Sequence, residues 1–261
     1  MPVSRHFVWA AIACVVSLIP PPHQQGRRLS YQPTDEPLRF SVENDYLMYF
    51  VRGSDTLGQP IHTQFVEHFL IERNDGVLHL KVEAPKPDGS GVHTTVFTID
   101  PFGEVLFVDG RSAHEVPSPR IDVLPRFPKG AVEPRVGLSW TDSANVTREE
   151  AYGASYYRTK RAYSVLRVAD SMRTRIVMIR GQGQVSLRHG GWDDSTAGTV
   201  WWQEVSGPIE DTVWFDAGSG QLLASVTNID LVGVGGGGPP AATVTMPAGI
   251  RSRHRRVRSL T

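Results

Sequence analysis

The chain has 261 residues, with 27 Lys and Arg against 27 Asp and Glu, 40% apolar residues and one Cys. This is long enough for one large domain or two small ones with a real core, and it excludes a disordered chain, a collagen and a disulfide scaffold. Zero net charge also argues against a polyanion partner for the chain as a whole, unless the charge is unevenly distributed.

Residues 1–26 read as an export signal. Arg5 gives a positive start, and Phe7–Ile19 is an apolar run of 13 residues halted by Pro20-Pro21-Pro22. That length fits a signal-peptide core and is too short for a comfortable membrane span. The expected address is the periplasm, the outer envelope or the extracellular space. Cys14, the single cysteine, lies in this run, and Ala11-Ile12-Ala13-Cys14 partly matches a lipobox, with Ala11 where Leu is usual. Lipidation at Cys14, or N-terminal membrane anchoring, is the lesser alternative. With the signal removed, the mature chain is cysteine-free and has no thiolate to use.

The middle of the chain alternates with period two. In Val77–Ala84, Leu78, Leu80, Val82 and Ala84 share one face, as expected of a half-buried strand. Ile61–Glu72 behaves in the same way, and Asn74-Asp75-Gly76 between them is a hairpin signal. Val92–Ile99 and Glu104–Val108 read as further strands. Pro117, Pro119, Pro125, Pro128 and Pro134 then mark an extended connection, because proline cannot donate to a sheet ladder. Thr147-Arg148-Glu149-Glu150 fits a capping box, so a short helix leading into a strand is expected between Ala151 and Ala162. Tyr163–Val168, Arg175–Arg180, Thr199–Gln203, Thr212–Phe215 and Gln221–Leu231 complete the strands, with a turn at Ala169-Asp170-Ser171. Gly181-Gln182-Gly183 reads as a turn or kink rather than a nucleotide cradle.

The expected fold is mainly β with little helix: an antiparallel meander, compatible with two similar halves forming a curved sheet or half-barrel. The organisation is signal 1–26, first β half 27–116, Pro-rich connection 117–134, second β half 135–234, and Gly-rich link with basic tail 235–261. A faint repeat supports two halves. Val96–Asp100 followed by Gly103, and Val213–Asp216 followed by Gly220, both read as strand, Asp-to-Gly turn, strand.

Gly235 to Pro240 breaks regular structure, and the segment beyond it carries Arg251, Arg253, Arg255, Arg256 and Arg258 with no acid after Pro239. Arg5 is the only Lys or Arg before residue 27, which leaves 21 basic against 27 acidic residues in 27–238, a charge of −6. The neutral chain thus reads as an acidic core with a flexible basic tail suited to an anionic surface; sequence-specific nucleic-acid binding is not expected.

The search for chemistry is mostly negative. His62 and His68 lack the H-E-x-x-H zinc spacing and sit about 20 Å apart on a strand. His114-Glu115 and Asp193-Asp194 are adjacent pairs that diverge in strands. There is no G-x-S-x-G elbow, no phosphate loop and no G-x-G-x-x-G. Val213-Trp214-Phe215-Asp216-Ala217-Gly218 resembles the apolar-Asp-Thr/Ser-Gly element of aspartic peptidases, but Ala217 replaces the supporting hydroxyl and no second copy exists. No catalytic, metal or cofactor residue is assigned. Trp140, Trp192, Trp201, Trp202 and Trp214 cluster in the second half, where an exposed indole would anchor a sugar, lipid or protein. Asn145-Val146-Thr147 is a glycosylation sequon, idle in a bacterium; arginine outnumbers lysine by 23 to 4, which fits a GC-rich bacterial source.

Leu124-Pro125, Val136-Gly137-Leu138-Ser139-Trp140-Thr141 and Trp214-Phe215-Asp216 through Gly220-Gln221-Leu222-Leu223-Ala224-Ser225 together resemble a family of exported bacterial proteins of unknown function. In that family a Pro-containing link leads to a V-x-x-G-x-x-W element, and the protein closes with F-D-x-x-x-G-x-L-x-x-S. The resemblance covers about residues 120–232. It implies a curved antiparallel sheet like that of lipoprotein carriers and no catalytic residues. The expected function is non-enzymatic: binding lipid, glycan or another envelope protein through a sheet surface or groove. The alternatives are an aspartic-peptidase-like hydrolase centred on Asp216, and a structural assembly partner with no small ligand.

Overall fold

The computed structural model describes residues 28–32, 37–74, 77–86, 89–116, 124–130, 132–148, 154–171, 174–194, 199–238 and 248–261. Twelve strands account for most of them: β1 (Leu38–Arg52), β2 (Asp55–Asn74), β3 (Val77–Pro85), β4 (Val92–Ile99), β5 (Val105–Val108), β6 (Arg111–Ser112), β7 (Ser139–Arg148), β8 (Ser155–Asp170), β9 (Arg175–Asp194), β10 (Thr199–Asp216), β11 (Gln221–Gly238) and β12 (Ala248–Leu260). One 3₁₀ turn, Ala113–Glu115, follows β6. Among the described residues no helix is long and apolar enough to cross a membrane.

All twelve strands form one antiparallel sheet in the order β6-β5-β4-β3-β2-β1-β12-β11-β10-β9-β8-β7. It is a curved sheet, not closed into a barrel. The chain meanders from β1 out to one edge at β6, then crosses to the other edge at β7 and meanders back. The 3₁₀ turn after β6 lies beside β7, so the two edges approach without pairing. The larger of two apolar clusters lies in the hollow, with Phe40, Phe69, Leu80 and Phe97 from the first arc meeting Tyr163, Ile179, Phe215 and Leu222 from the second.

Two segments outside the sheet close one end of the hollow. Leu29, Tyr31, Leu124 and Phe127 are all buried. Tyr31 packs on Phe127 (5.1 Å between ring centres) and Phe215 (5.6 Å), and its hydroxyl donates to the Pro125 carbonyl. Burial pushes the Tyr31 hydroxyl pKa up. The two Asp-to-Gly hairpins flank this plug. Asp100 Oδ1 accepts from the Phe102 and Glu104 amides, and Asp216 Oδ1 from the Gly218 amide. The Tyr31 amide donates to the Pro101 carbonyl and the Gln32 amide to that of Gly220. Gly220 has φ +70°, and a Cβ there would press into Gln32, so the position requires glycine on both counts. The proline-rich connection is therefore partly core: its Leu124–Phe127 portion enters the hollow.

Three expectations need correction. The Gly-rich link and flexible tail are both strand: Gly235–Gly238 end β11, paired with β10, and residues 248–260 form β12, which pairs with β1 on one side and β11 on the other, at the middle of the sheet. The short helix expected near 151–162 is absent where the chain is described. Thr147 and Arg148 end β7, and Ser155 onward is β8, because Tyr157, Tyr163 and Val165 at alternate positions bury one sheet face. Gly181-Gln182-Gly183 is neither turn nor kink but the middle of β9. The strands also run further than the local patterns suggested, since Ile61–Glu72 is part of a strand of 20 residues.

Candidate functional site

The inner face of the sheet follows parity. On β12, Ile250, Ser252, His254, Arg256 and Arg258 face inward, and Arg251, Arg253 and Arg255 face outward; the register places Arg258 beside Val42 and Ser225, and Arg256 beside Asn44 and Thr227. The same rows carry Glu67 on β2 and Asp211 on β10. The result is a belt of polar and charged groups across a face that is otherwise apolar.

Asp211, 5% exposed, is the hub of one half of the belt. Its Oδ2 accepts from Arg161 Nη1 at 3.1 Å and from the Tyr163 hydroxyl at 3.2 Å, and its Oδ1 accepts from Thr227 Oγ1 at 2.7 Å. Asn44, 2% exposed, is the hub of the other half. Its amide nitrogen donates to Glu67 Oε2 at 3.2 Å, and its oxygen accepts from Arg256 Nε at 2.9 Å and lies 3.2 Å from His254 Nε2. Arg256 Nη2 also lies 3.7 Å from Glu67 Oε2. Arg258 donates to Ser225 Oγ at 3.2 Å, and its guanidinium sits 5.1 Å from the Phe69 ring centre.

Burial shifts the ionisation of three side chains on this face. His254 is pushed down to about 4, first by desolvation and then by the neighbouring Arg256. It is therefore neutral at pH 7, and its Nε2 donates to Asn44. Desolvation, again reinforced by Arg256, lowers Arg258 to about 10, so it keeps its proton. The Tyr46 hydroxyl is raised by burial.

The belt borders a cavity of about 180 Å³ that Arg161, Arg256, Arg258 and Asp211 line together with Leu124 and Tyr163 at its deep end, and Ile229 and Leu231 higher up. Gln203 is shared with a second cavity of about 390 Å³ toward the far end of the strands, lined by Met48, Phe50, Ile61, Trp202 and Ile250. Here the walls are almost wholly apolar. Among the described residues the buried Trp202 Nε1 has no hydrogen-bond partner. The inner face is thus a trough, apolar at one end and cationic toward the plug. Ile250 and Arg258, which mark these two ends on β12, are about 26 Å apart at 3.3 Å per residue.

The residues singled out from sequence fall elsewhere or divide. Asp216 lies in the β10–β11 turn, where Oδ1 accepts from the Arg175 and Gly218 amides at 3.0 and 2.8 Å and Oδ2 accepts from Ser219 Oγ at 2.9 Å. Its carboxylate holds a hairpin, as Asp100 does at the other. Of the five tail arginines, Arg256 and Arg258 enter the belt. Arg253 pairs with Asp230 at 3.0 Å on the outer face, and Arg251 and Arg255 also point outward. His62 Nε2 lies 2.8 Å from Asp45 Oδ1, also on the outer face. Trp140 is structural: it stacks on Tyr163 at 5.3 Å and donates to the Arg126 carbonyl. Asn145 Oδ1 accepts from Arg158. Residues 1–26, with Cys14, lie outside the described residues. Among the described residues no three His, Cys, Asp or Glu side chains gather to hold a metal ion.

Sequence reasoning missed Arg161, Asp211, Glu67, Asn44 and His254. A signal was present: each occupies the parity that its own strand gives to buried apolar residues, as Arg161 does with Tyr163 and Val165, and Asp211 with Val213. Neither a protein-family model nor a curated protein sequence matches the chain.

Proposed function

We propose that this is an exported, non-enzymatic envelope protein that holds an amphipathic, lipid-like molecule in the trough of its curved sheet. The observation that carries the reading is the pairing of the apolar cavity at Met48, Phe50, Ile61, Trp202 and Ile250 with a polar belt further along the same face. Concave, mostly apolar sites with a few placed polar groups are the usual form of a small-molecule pocket. The export-like segment at residues 1–26 and the resemblance to exported carrier-like proteins support the address.

The test is direct binding of palmitate or hexadecanol to the purified chain by calorimetry, followed by the Ile250→Glu variant. A charge on the apolar wall should abolish binding while the β-sheet circular dichroism is retained. Absence of binding by both amphiphiles, or full binding by a folded Ile250→Glu variant, overturns the reading.

A further inference from the structure

Neutral donors mark the waist between the two cavities. The Tyr46 hydroxyl donates to Met48 Sδ at 3.3 Å. Tyr46 lines the smaller cavity and Met48 the larger, so this bond spans their boundary. Ser252, the register partner of Met48 on β12, places its hydroxyl beside that of Tyr46. Gln203, on β10, lines both cavities with a carboxamide. A thioether is a weak acceptor, so the Tyr46 proton is loosely held. The hydroxyl rotor can turn it toward a better acceptor that enters the cavity.

Resting on the carrier reading above, we infer that the molecule carried is an acyl lipid whose ester or amide carbonyl seats at this waist, accepting from the Tyr46 hydroxyl with the Gln203 amide as second donor. The division of the ligand then follows the division of the trough. The acyl chain lies in the larger cavity among Phe50, Ile61 and Ile250, where the walls are apolar. The carbonyl comes at the level where the lining changes character. The head enters the smaller cavity, where Thr227, Asp211 and Arg256 present donors and acceptors together, a mixture that suits a hydroxyl-bearing head. A carbonyl oxygen has two lone pairs and is a far stronger acceptor than the Met48 sulfur it would replace as partner of Tyr46. An alkyl ether of the same length fills the same space and offers only a poorer acceptor there. Ester and amide share the carbonyl on which the assignment rests, so both are expected to bind.

The experiment compares three probes of equal chain length and like head on the full chain at neutral pH: the hexadecanoyl monoester of glycerol, the hexadecanoyl amide of aminopropanediol and the hexadecyl monoether of glycerol. Calorimetry below their aggregation concentrations should show the ester and amide binding about 3- to 10-fold tighter than the ether, the worth of one hydrogen bond. A preference for only one of the two carbonyl probes also supports the inference and identifies the linkage. Tyr46→Phe should bring the ester and amide down toward the ether and leave the ether unchanged, and Gln203→Leu should do so in part. Infrared spectroscopy of an isotope-labelled ester carbonyl should show its stretch moved to lower frequency on binding, and moved less in Tyr46→Phe. Equal binding of all three probes, or a preference undiminished in both variants, overturns the carbonyl seat while the trough stands; failure of all three to bind overturns the trough itself. Should the variants not fold, the wild-type ranking and the infrared band decide the question, and a band at its position in hexadecane overturns the seat.

Discussion

Arg161 reaches Asp211 at 3.1 Å although a whole strand separates them: Arg161 lies on β8, Asp211 on β10, and β9 passes between. The crossing is possible because β9 places Gly181 beside Tyr163 and Gly183 beside Arg161 on the inner face. A Cβ at Gly181 would fall on the Tyr163 ring, and one at Gly183 on the Lys160 carbonyl. These two glycines open a window through which side chains of β8 extend over their neighbour.

Gly181→Ala and Gly183→Ala should each destabilise the fold by overpacking, by about 1–3 kcal/mol. The Gly183 variant should suffer more, since it meets backbone rather than a ring that can rotate. Urea midpoints measure the difference, and an unchanged midpoint for both would show that the window is not needed.

Asp211→Ala removes the shared acceptor of Arg161, Tyr163 and Thr227 and takes an ion-pair partner from a buried guanidinium. The expected loss is about 3–5 kcal/mol. The pair Arg161→Met with Asp211→Leu should recover part of it, because an apolar pair of similar volume carries no desolvation cost. Denaturant titration of the single and double variants checks both statements.

His254 gives the stability a pH dependence of definite sign. Folded, it takes its proton only near pH 4; unfolded, near 6.5. Between these values the unfolded chain binds the additional proton, so this contribution is complete above about pH 6.5 and is lost as the pH falls toward 4. The full span is about 3 kcal/mol. Replacing His254 by Asn should flatten the stability–pH curve in that window, as read from thermal melts at matched ionic strength; an unaltered slope would place the titration elsewhere.

Deleting residues 248–260 should cost far more than trimming a terminus. Their loss separates β1 from β11 and splits the sheet in the middle. The expected outcome is a chain without a cooperative melt by circular dichroism. A truncated protein that still melted cooperatively would mean that the two arcs stand alone.

The β class and the meander were legible because apolar alternation is a direct consequence of one buried sheet face, and Val77–Ala84 matches β3 almost residue for residue. The Asp100 and Asp216 hairpins were legible from turn chemistry alone. β12 escaped because its inward row is Ile250, Ser252, His254, Arg256 and Arg258, which carries almost no apolar signal, and because glycines precede it. Its strand character was written instead in Arg251, Arg253 and Arg255, charged at every second position. The belt escaped for the same reason: binary patterning treats a charge as an outward residue, while here parity, not polarity, decides which way it faces.

The central position of β12 also dictates an order of events. Asn44 and His254 meet across 210 residues of chain, so the seam between β1 and β12 closes only by shutting a very long loop. Each arc is a local meander whose hairpins can form early; sealing comes last. Before it, β1 and β12 each present an open backbone edge to whatever strand arrives first, including one from another copy of the chain. The slowest and most aggregation-exposed moment in the folding of this protein is therefore the wait for β1 and β12 to meet.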